Sequence, residues 1–313
     1  MTRRVRAEVP TVSVIIPAHN AGGYLARTLQ SVTAQTLADF EIIVVDDGST
    51  DDTRQVALAA ALGDRRIRVV GQAQAGVAAA RNRALAEARG VYIANLDADD
   101  LWRPTFLERT VASLEASGAP FAFARSLWID PDDRVLPQEP IPLPVELDYR
   151  ELLVRNPIGN GSAVVMRGAT VRECGGYDEA HSKRFRQGED WLLQLKLSWF
   201  GPGRVIDEPL ALYRIWPGST SHRVPEATAA SLEVIRRCRV DGPPLDAGAY
   251  RSATSLLLMW QARRAWAMGD RRLALGLVLR AFAGNPAWFT LPELRAVVAS
   301  APRVVGRALQ GEA

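Results

Sequence analysis

A chain of 313 residues with 48% hydrophobic and 23% charged positions has room for one large domain plus an appendage and can bury a sizeable core. A formal charge of +3 argues against a general nucleic-acid-binding surface, and two cysteines, Cys174 and Cys238, in no zinc-holding spacing, fit a reducing, cytosolic setting. The charge is uneven, because from Arg251 onward nine arginines face Asp270, Glu293 and Glu312, a balance of +6 that leaves −3 for the first 250 residues.

At the N-terminus, Met1 to Glu8 is basic, but Pro17 and His19 interrupt before any sufficient apolar run, so no signal peptide is expected. Val12 to Ile16, Glu41 to Val45, Ile67 to Val70 and Val91 to Ala94 then read as strands. Helical patterns near Tyr24 to Gln35, Thr53 to Leu62 and Val77 to Arg89 separate them. That alternation predicts right-handed βαβ units and a parallel sheet, which binds ligands beyond the carboxyl ends of its strands. Polar clusters fall at three such ends: Ala18-His19-Asn20, Asp46-Asp47, and Asp97-Ala98-Asp99.

Further along, Phe121 to Ile129 and Ser162 to Met166 read as strands, Pro131 to Arg134 as a turn and Pro137 to Pro144 as a loop. Glu189 to Phe200 reads as a helix with Leu192, Leu195 and Trp199 along one face. From Glu226 the pattern is wholly helical, broken at Asp241 to Pro244, Gly269-Asp270 and Asn285-Pro286. A boundary near Arg223 gives an α/β catalytic domain over 1–222, divided near residue 100, and a helical extension over 223–313. No window offers about eighteen uncharged apolar residues, so no membrane span is expected.

Asp97 and Asp99 are two apart, so at a strand end they point the same way, and their oxygens suit Mg²⁺ or Mn²⁺ carried in on phosphates. Alone, such a motif reads more readily as a turn before a helix near Pro104, with Asp100 as its cap. Asp46 and Asp47 end an apolar strand, while Ser49 to Asp52 offer helix caps. Glu189 and Asp190 open a helix, where the dipole favours acids.

Taken in order, Val12 to Asn20, Phe40 to Thr53, Gly76 to Asn82, Asn95 to Asp100 and Gly188 to Trp191 resemble the family 2 glycosyltransferases with the nucleotide-diphospho-sugar transferase (GT-A) fold, over about the first two-thirds of the chain. The resemblance implies a Rossmann-like, mostly parallel sheet flanked by helices and a metal-assisted, inverting transfer of a sugar from a UDP- or dTDP-linked donor. It implies that Asp47 reads the base through the N3–H of uracil or thymine, with Asp46 in a structural role. Pro17, His19 and Asn20 would lie against the nucleobase, and Arg81 near the donor nucleotide. Asp99 would be the main ligand to Mn²⁺ or Mg²⁺, with Asp97 near the ribose or the metal's water shell. Asp190 would be the general base, with Glu189 beside it.

Tyr213 to His222 resembles a family segment closing over the donor, but Trp216 stands where a histidine is frequent, leaving His222 as a candidate third metal ligand. Gly159 to Ser162 and Gly175 to Asp178 match segments that shape the acceptor side. The implied partners are a nucleotide sugar and a glycan or lipid-linked acceptor, with no nucleic acid. The basic tail suits peripheral contact with the inner face of a cell membrane. Two other readings are a sugar-phosphate nucleotidyltransferase and a non-catalytic nucleotide-sugar or glycan binder. The first wants a basic loop after the first strand, and Ala18 to Gly23 holds no lysine or arginine; the presence of both acid sites speaks against the second.

Overall fold

A computed structural model describes residues 9–138, 142–216 and 223–286. Four parallel strands, in spatial order β3 (Ile67–Gln72), β2 (Phe40–Asp47), β1 (Val12–Ala18) and β4 (Tyr92–Asn95), form the first half of the sheet. Every residue of β1, β2 and β4 is buried, as expected of parallel strands covered on both faces by their crossover helices. Those helices are α1 (Gly22–Thr33), α2 (Thr53–Gly63) and α3 (Val77–Glu87).

Beyond β4 the pairing changes sense. Strand β8 (Val164–Arg167) runs antiparallel to both β4 and β6 (Phe121–Ile129), and β6 pairs in parallel with β9 (Gly203–Arg214). Two short strands, β5 (Leu101–Trp102) and β7 (Glu146–Leu147), add antiparallel to β9. The sheet is therefore parallel in its first half and mixed in its second, nine strands among the described residues. Helix α4 (Phe106–Ser117) leads into β6, and α5 (Tyr149–Arg155), α6 (Gly168–Glu173), α7 (Glu179–Phe185) and α8 (Glu189–Leu197) follow.

Three details differ from the sequence expectation. Strand β9 has no counterpart in it, because Asp207-Glu208-Pro209 breaks the apolar alternation of a strand whose pairing with β6 shifts register around Arg125. Gly161 to Ala163 forms a 3₁₀ turn, so the strand there starts at Val164. Trp199 is 37% exposed, since α8 ends at Leu197 and buries Trp191, Leu192, Leu193, Leu195 and Leu197 on nearly all sides.

Three helices complete the described chain: α9 (Val224–Asp241), α10 (Ala247–Ala267) and α11 (Arg271–Gly284). The main core continues past residue 222, taking Val234, Ile235 and Cys238 from α9 and Tyr250 and Ala253 from α10. The hydroxyls of Tyr149 and Tyr250 both donate to the carbonyl of Cys238 at 3.2 Å, tying α5, α9 and α10 together. A second, smaller core joins Val224 to Leu258, Met259, Ala262 and Ala265 of α10 and Ala274, Leu277 and Ala281 of α11. Among the described residues no helix is long and apolar enough to cross a membrane.

Candidate active site

The loops after β1 and β2 are laced together. Asn20 adopts φ 50°, a left-handed conformation that asparagine tolerates, and its Oδ1 accepts from the Thr50 amide at 2.9 Å. Asp51 Oδ1 accepts from Thr53 N at 3.0 Å and its Oδ2 from Gly22 N at 3.0 Å, so one carboxylate serves the first turns of both α1 and α2. Ala21 N donates to Thr53 Oγ1 at 2.7 Å. Pro17 is buried within β1. His19 Nδ1 lies 2.9 Å from the Asp47 carbonyl, which makes Nδ1 the donor and leaves Nε2 to accept from Gln74 Nε2 at 3.0 Å.

Asp47, at the end of β2, accepts from Gln72 Nε2 and the Ala75 amide on Oδ1 and from the Gly76 amide on Oδ2, each at 2.8 Å. The last of these fixes the start of α3, where Gly76 supplies the φ of 98° that the turn needs. One acceptor position remains on Oδ2. Asp46 accepts from Ser49 N at 3.1 Å and lies 3.8 Å from Arg54.

The loop after β4 is held by side chains from the second half of the chain. Ser162 Oγ accepts from Asp97 N at 3.1 Å and donates to Asp100 Oδ2 at 2.6 Å, and Asp100 Oδ1 accepts from Arg214 N at 2.8 Å. Buried in this way, Asp100 does not cap a helix; β5 follows it, and α4 begins only at Phe106. Burial, then repulsion from Asp99 and Asp97, holds the Asp100 carboxyl well above the usual carboxylate range. The buried guanidinium of Arg214 donates to the Asp99 carbonyl at 2.6 Å and the Asp130 carbonyl at 2.7 Å, pairs with Asp133, and lies 4.7 Å from the Tyr24 ring centroid.

Asp99 Oδ2 accepts from the indole Nε1 of Trp216 at 3.0 Å. Its pKa is raised first by burial and then by the neighbouring Asp97. Two acids that repel one another, one of them held by an uncharged donor, form an oxygen set that suits a hard divalent cation. Among the described residues no three histidine, cysteine or acidic side chains group to hold one alone, so further ligands would come from phosphate and water. His222 lies outside the described residues.

Arg81, buried on α3, joins the two acid sites. Its Nη2 donates to Asp97 Oδ1 and its Nη1 to Glu189 Oε1, both at 2.7 Å, and it lies 5.2 Å from the Tyr177 ring centroid. Burial opposes its charge, but Asp97 and Glu189 outweigh that and hold its pKa well above the ordinary value. Gly188, at φ 85°, turns the chain into α8, whose first turn carries Glu189 and Asp190. Asp190 Oδ1 accepts from Trp191 N at 2.7 Å, and Oδ2 lies 3.5 Å from where a Cβ on Gly161 would stand. Burial, and then the charge of Glu189, push the Asp190 carboxyl up to about 6.

Asn95, Ser162 and Arg214 are the residues that sequence reasoning left without a role. Asn95 ends β4 with neither side-chain atom partnered, and its Nδ2 would be 3.0 Å from a Cβ on Gly161. Its signal was an amide closing an apolar strand. Ser162 and Arg214 each stood in a segment already singled out, but their partners are more than 60 positions away and could not be read from spacing.

A sheet whose parallel half delivers acids to one rim, faced by an acid pair opening a helix, is the architecture of a nucleotide-sugar transferase. The model for glycosyl transferase family 2 matches residues 13–173. The putative teichuronic acid biosynthesis glycosyltransferase TuaG of Bacillus subtilis is 35% identical over 214 residues, 68% of this chain and 82% of the relative. The succinoglycan biosynthesis protein ExoO of Rhizobium meliloti is 32% identical over 254 residues, 75% of this chain and 71% of the relative. Among solved structures, Staphylococcus aureus TarS 1-349 in complex with UDP-GlcNAc superposes with a TM-score of 0.64 at 16% identity, covering 96% of this chain and 91% of that one. The mannosyltransferase PcManGT of Pyrobaculum calidifontis, in complex with GDP-Man and Mn²⁺, gives 0.58 at 18% identity, covering 94% and 80%. This chain belongs to glycosyltransferase family 2, and it is a glycosyltransferase with the GT-A fold.

Proposed function

We propose that this enzyme transfers a sugar, with inversion, from a UDP- or dTDP-linked donor to a hydroxyl of a polysaccharide or other glycoconjugate acceptor. The observation that carries the reading is the chain Asp97–Arg81–Glu189, which ties the acid loop after β4 to the helix that bears Asp190. Support for a polysaccharide acceptor comes from the names of TuaG and ExoO, and for a uridine donor from TarS with its UDP-GlcNAc.

In this reading Asp190 Oδ2 takes the proton of the acceptor hydroxyl as its oxygen bonds to the anomeric carbon on the face opposite the diphosphate. The bond from that carbon to the diphosphate oxygen breaks, and its electron pair leaves with the nucleoside diphosphate. One displacement inverts the configuration. A carboxyl with a pKa near 6 is ionised at neutral pH yet basic enough to accept a proton in an oxocarbenium-like transition state. Asp47, His19 and Asn20 form the nucleobase side, with the remaining acceptor position on Asp47 Oδ2 directed to the base.

Asp99, with Asp97, would hold Mn²⁺ or Mg²⁺, which when bound neutralises charge on the departing diphosphate. Arg81 has both terminal nitrogens engaged by acids, so its part is to fix Asp97 and Glu189 relative to each other. The test is thermal stabilisation by a panel of nucleotide sugars, UDP-GlcNAc and GDP-mannose among them, with Mn²⁺ or with EDTA. A uridine or thymidine diphosphosugar is expected to raise the melting temperature through its binding to the folded state. Stabilisation by guanosine donors alone would overturn the base assignment, and equal effects with EDTA the metal assignment.

A further inference from the structure

Helix α11 has two unlike faces. Ala274, Leu277 and Ala281 turn inward onto the second core. Leu275, Leu279 and Phe282, spaced at four and three residues, share the outward side and are 60%, 60% and 48% exposed. Across the turn from α10, Trp266 and Met268 extend the apolar surface at 54% and 45% exposure. A row of large apolar side chains on a surface marks a place of contact.

Charge around the row says with what. On α11 the arginines at 271, 272 and 280 are exposed, and from Ala247 to Gly284 the chain carries a single acid, Asp270. That acid is already engaged, its Oδ1 accepting from Leu273 N at 2.9 Å to cap α11. Arg271 lies 5.6 Å from the Trp266 ring centroid, so a cation and an indole stand side by side at the head of the row.

We propose that this face of α11, with the Trp266–Met268 turn, docks on an anionic lipid surface. The apolar row enters the boundary between headgroups and acyl chains, Trp266 sits at headgroup level, and Arg271, Arg272 and Arg280 meet lipid phosphates. The helix lies on the bilayer, since none of the described helices can cross one. A nucleic acid would match the arginines but leave the apolar row in water. A second copy paired face to face would bring the two arginine sets together at a repulsive cost. The proposal is independent of the donor and acceptor, and its test needs neither.

The experiment is flotation of the full chain with vesicles of phosphatidylcholine alone, or with about a third of phosphatidylglycerol, at low and high salt. Binding to anionic vesicles is expected to exceed binding to neutral ones by about tenfold or more and to fall with salt. Leu279→Glu should reduce it by a similar factor, and Arg271→Glu with Arg272→Glu should remove the preference for anionic lipid. Circular dichroism and the melting temperature should stay unchanged in both, with Leu275→Gln as a second probe. Brominated lipid should quench the wild type more than Trp266→Phe. Absence of flotation at low salt overturns the proposal, as does flotation indifferent to Leu279→Glu. So does a dimer that Leu279→Glu dissociates without vesicle binding, or a lower melting temperature in that variant without vesicle binding, which would assign the row to contacts within the chain.

Discussion

As the proposed base, Asp190 would act only when ionised, and burial beside Glu189, which pushes its carboxyl up to about 6, would set where that happens. As pH falls through 6 the carboxyl gains its proton and loses the ability to take one from the acceptor. The acid limb of kcat/KM is therefore expected to fall about tenfold per pH unit below 6 and to level above about 7. In Asp190→Asn turnover should drop by about 10²- to 10⁴-fold while UDP affinity measured by calorimetry stays within about twofold. Near-normal turnover would remove Asp190 from the mechanism and turn attention to Glu189. Asp99→Asn is expected to act on binding instead, bringing the ratio of UDP affinities with Mn²⁺ and with EDTA down to about one. A preserved ratio would exclude Asp99 as the ligand. Arg81 serves both acids, and Arg81→Met would leave Glu189 buried without its cation. A loss of about 3–5 kcal/mol in urea unfolding is the expected size for breaking a buried pair. A change under about 1 kcal/mol would show that the pair is not held as described.

Among the elements, β1 to β4 and α1 to α3 were legible because apolar runs bounded by polar clusters repeat with little interruption. The second half was less so. Strand β9 carries Asp207, Glu208 and Pro209 in its middle, and α5, α6 and α7 are six or seven residues long, too short to show a period. The acids of the site were visible as motifs, whereas their holders, Ser162 and Arg214, come from β8's approach and β9's end, and only the fold brings them in. Close approach between strands also sets a limit that sequence does not display. A Cβ on Gly90 would stand 2.4 Å from the backbone nitrogen of Ser13, whose hydroxyl accepts from Gly90 N at 2.8 Å. Gly90→Ala is expected to push β4 from β1 and cost about 1–3 kcal/mol in denaturant unfolding. A neutral result would mean that the two strands can move apart freely.

For the molecule as a whole, the sequence boundary near Arg223 marks where the pattern turns helical, while the main core runs on through α9 into the first half of α10. The second half of α10 and α11 rest on a smaller core, to which α9 adds Val224. Leu277→Ala, a change in that smaller core, is expected to cost about 2–5 kcal/mol locally. Hydrogen exchange should then quicken in α11 and leave β1 and β2 protected. Equal acceleration in the sheet would show that the two cores melt as one.

The lacing of the loops after β1 and β2 bears on how such an enzyme can be re-engineered. Asn20, Asp51 and Thr53 each reach across from one loop to the other, so neither loop is a portable part. A β2 loop grafted without an acid at position 51 and a hydroxyl at position 53 would leave Gly22 N and Ala21 N unpaired. If these loops line the donor as proposed, donor choice would pass between relatives with both loops together, and a library that recombines the two as one cassette should return folded enzymes where single-loop swaps do not.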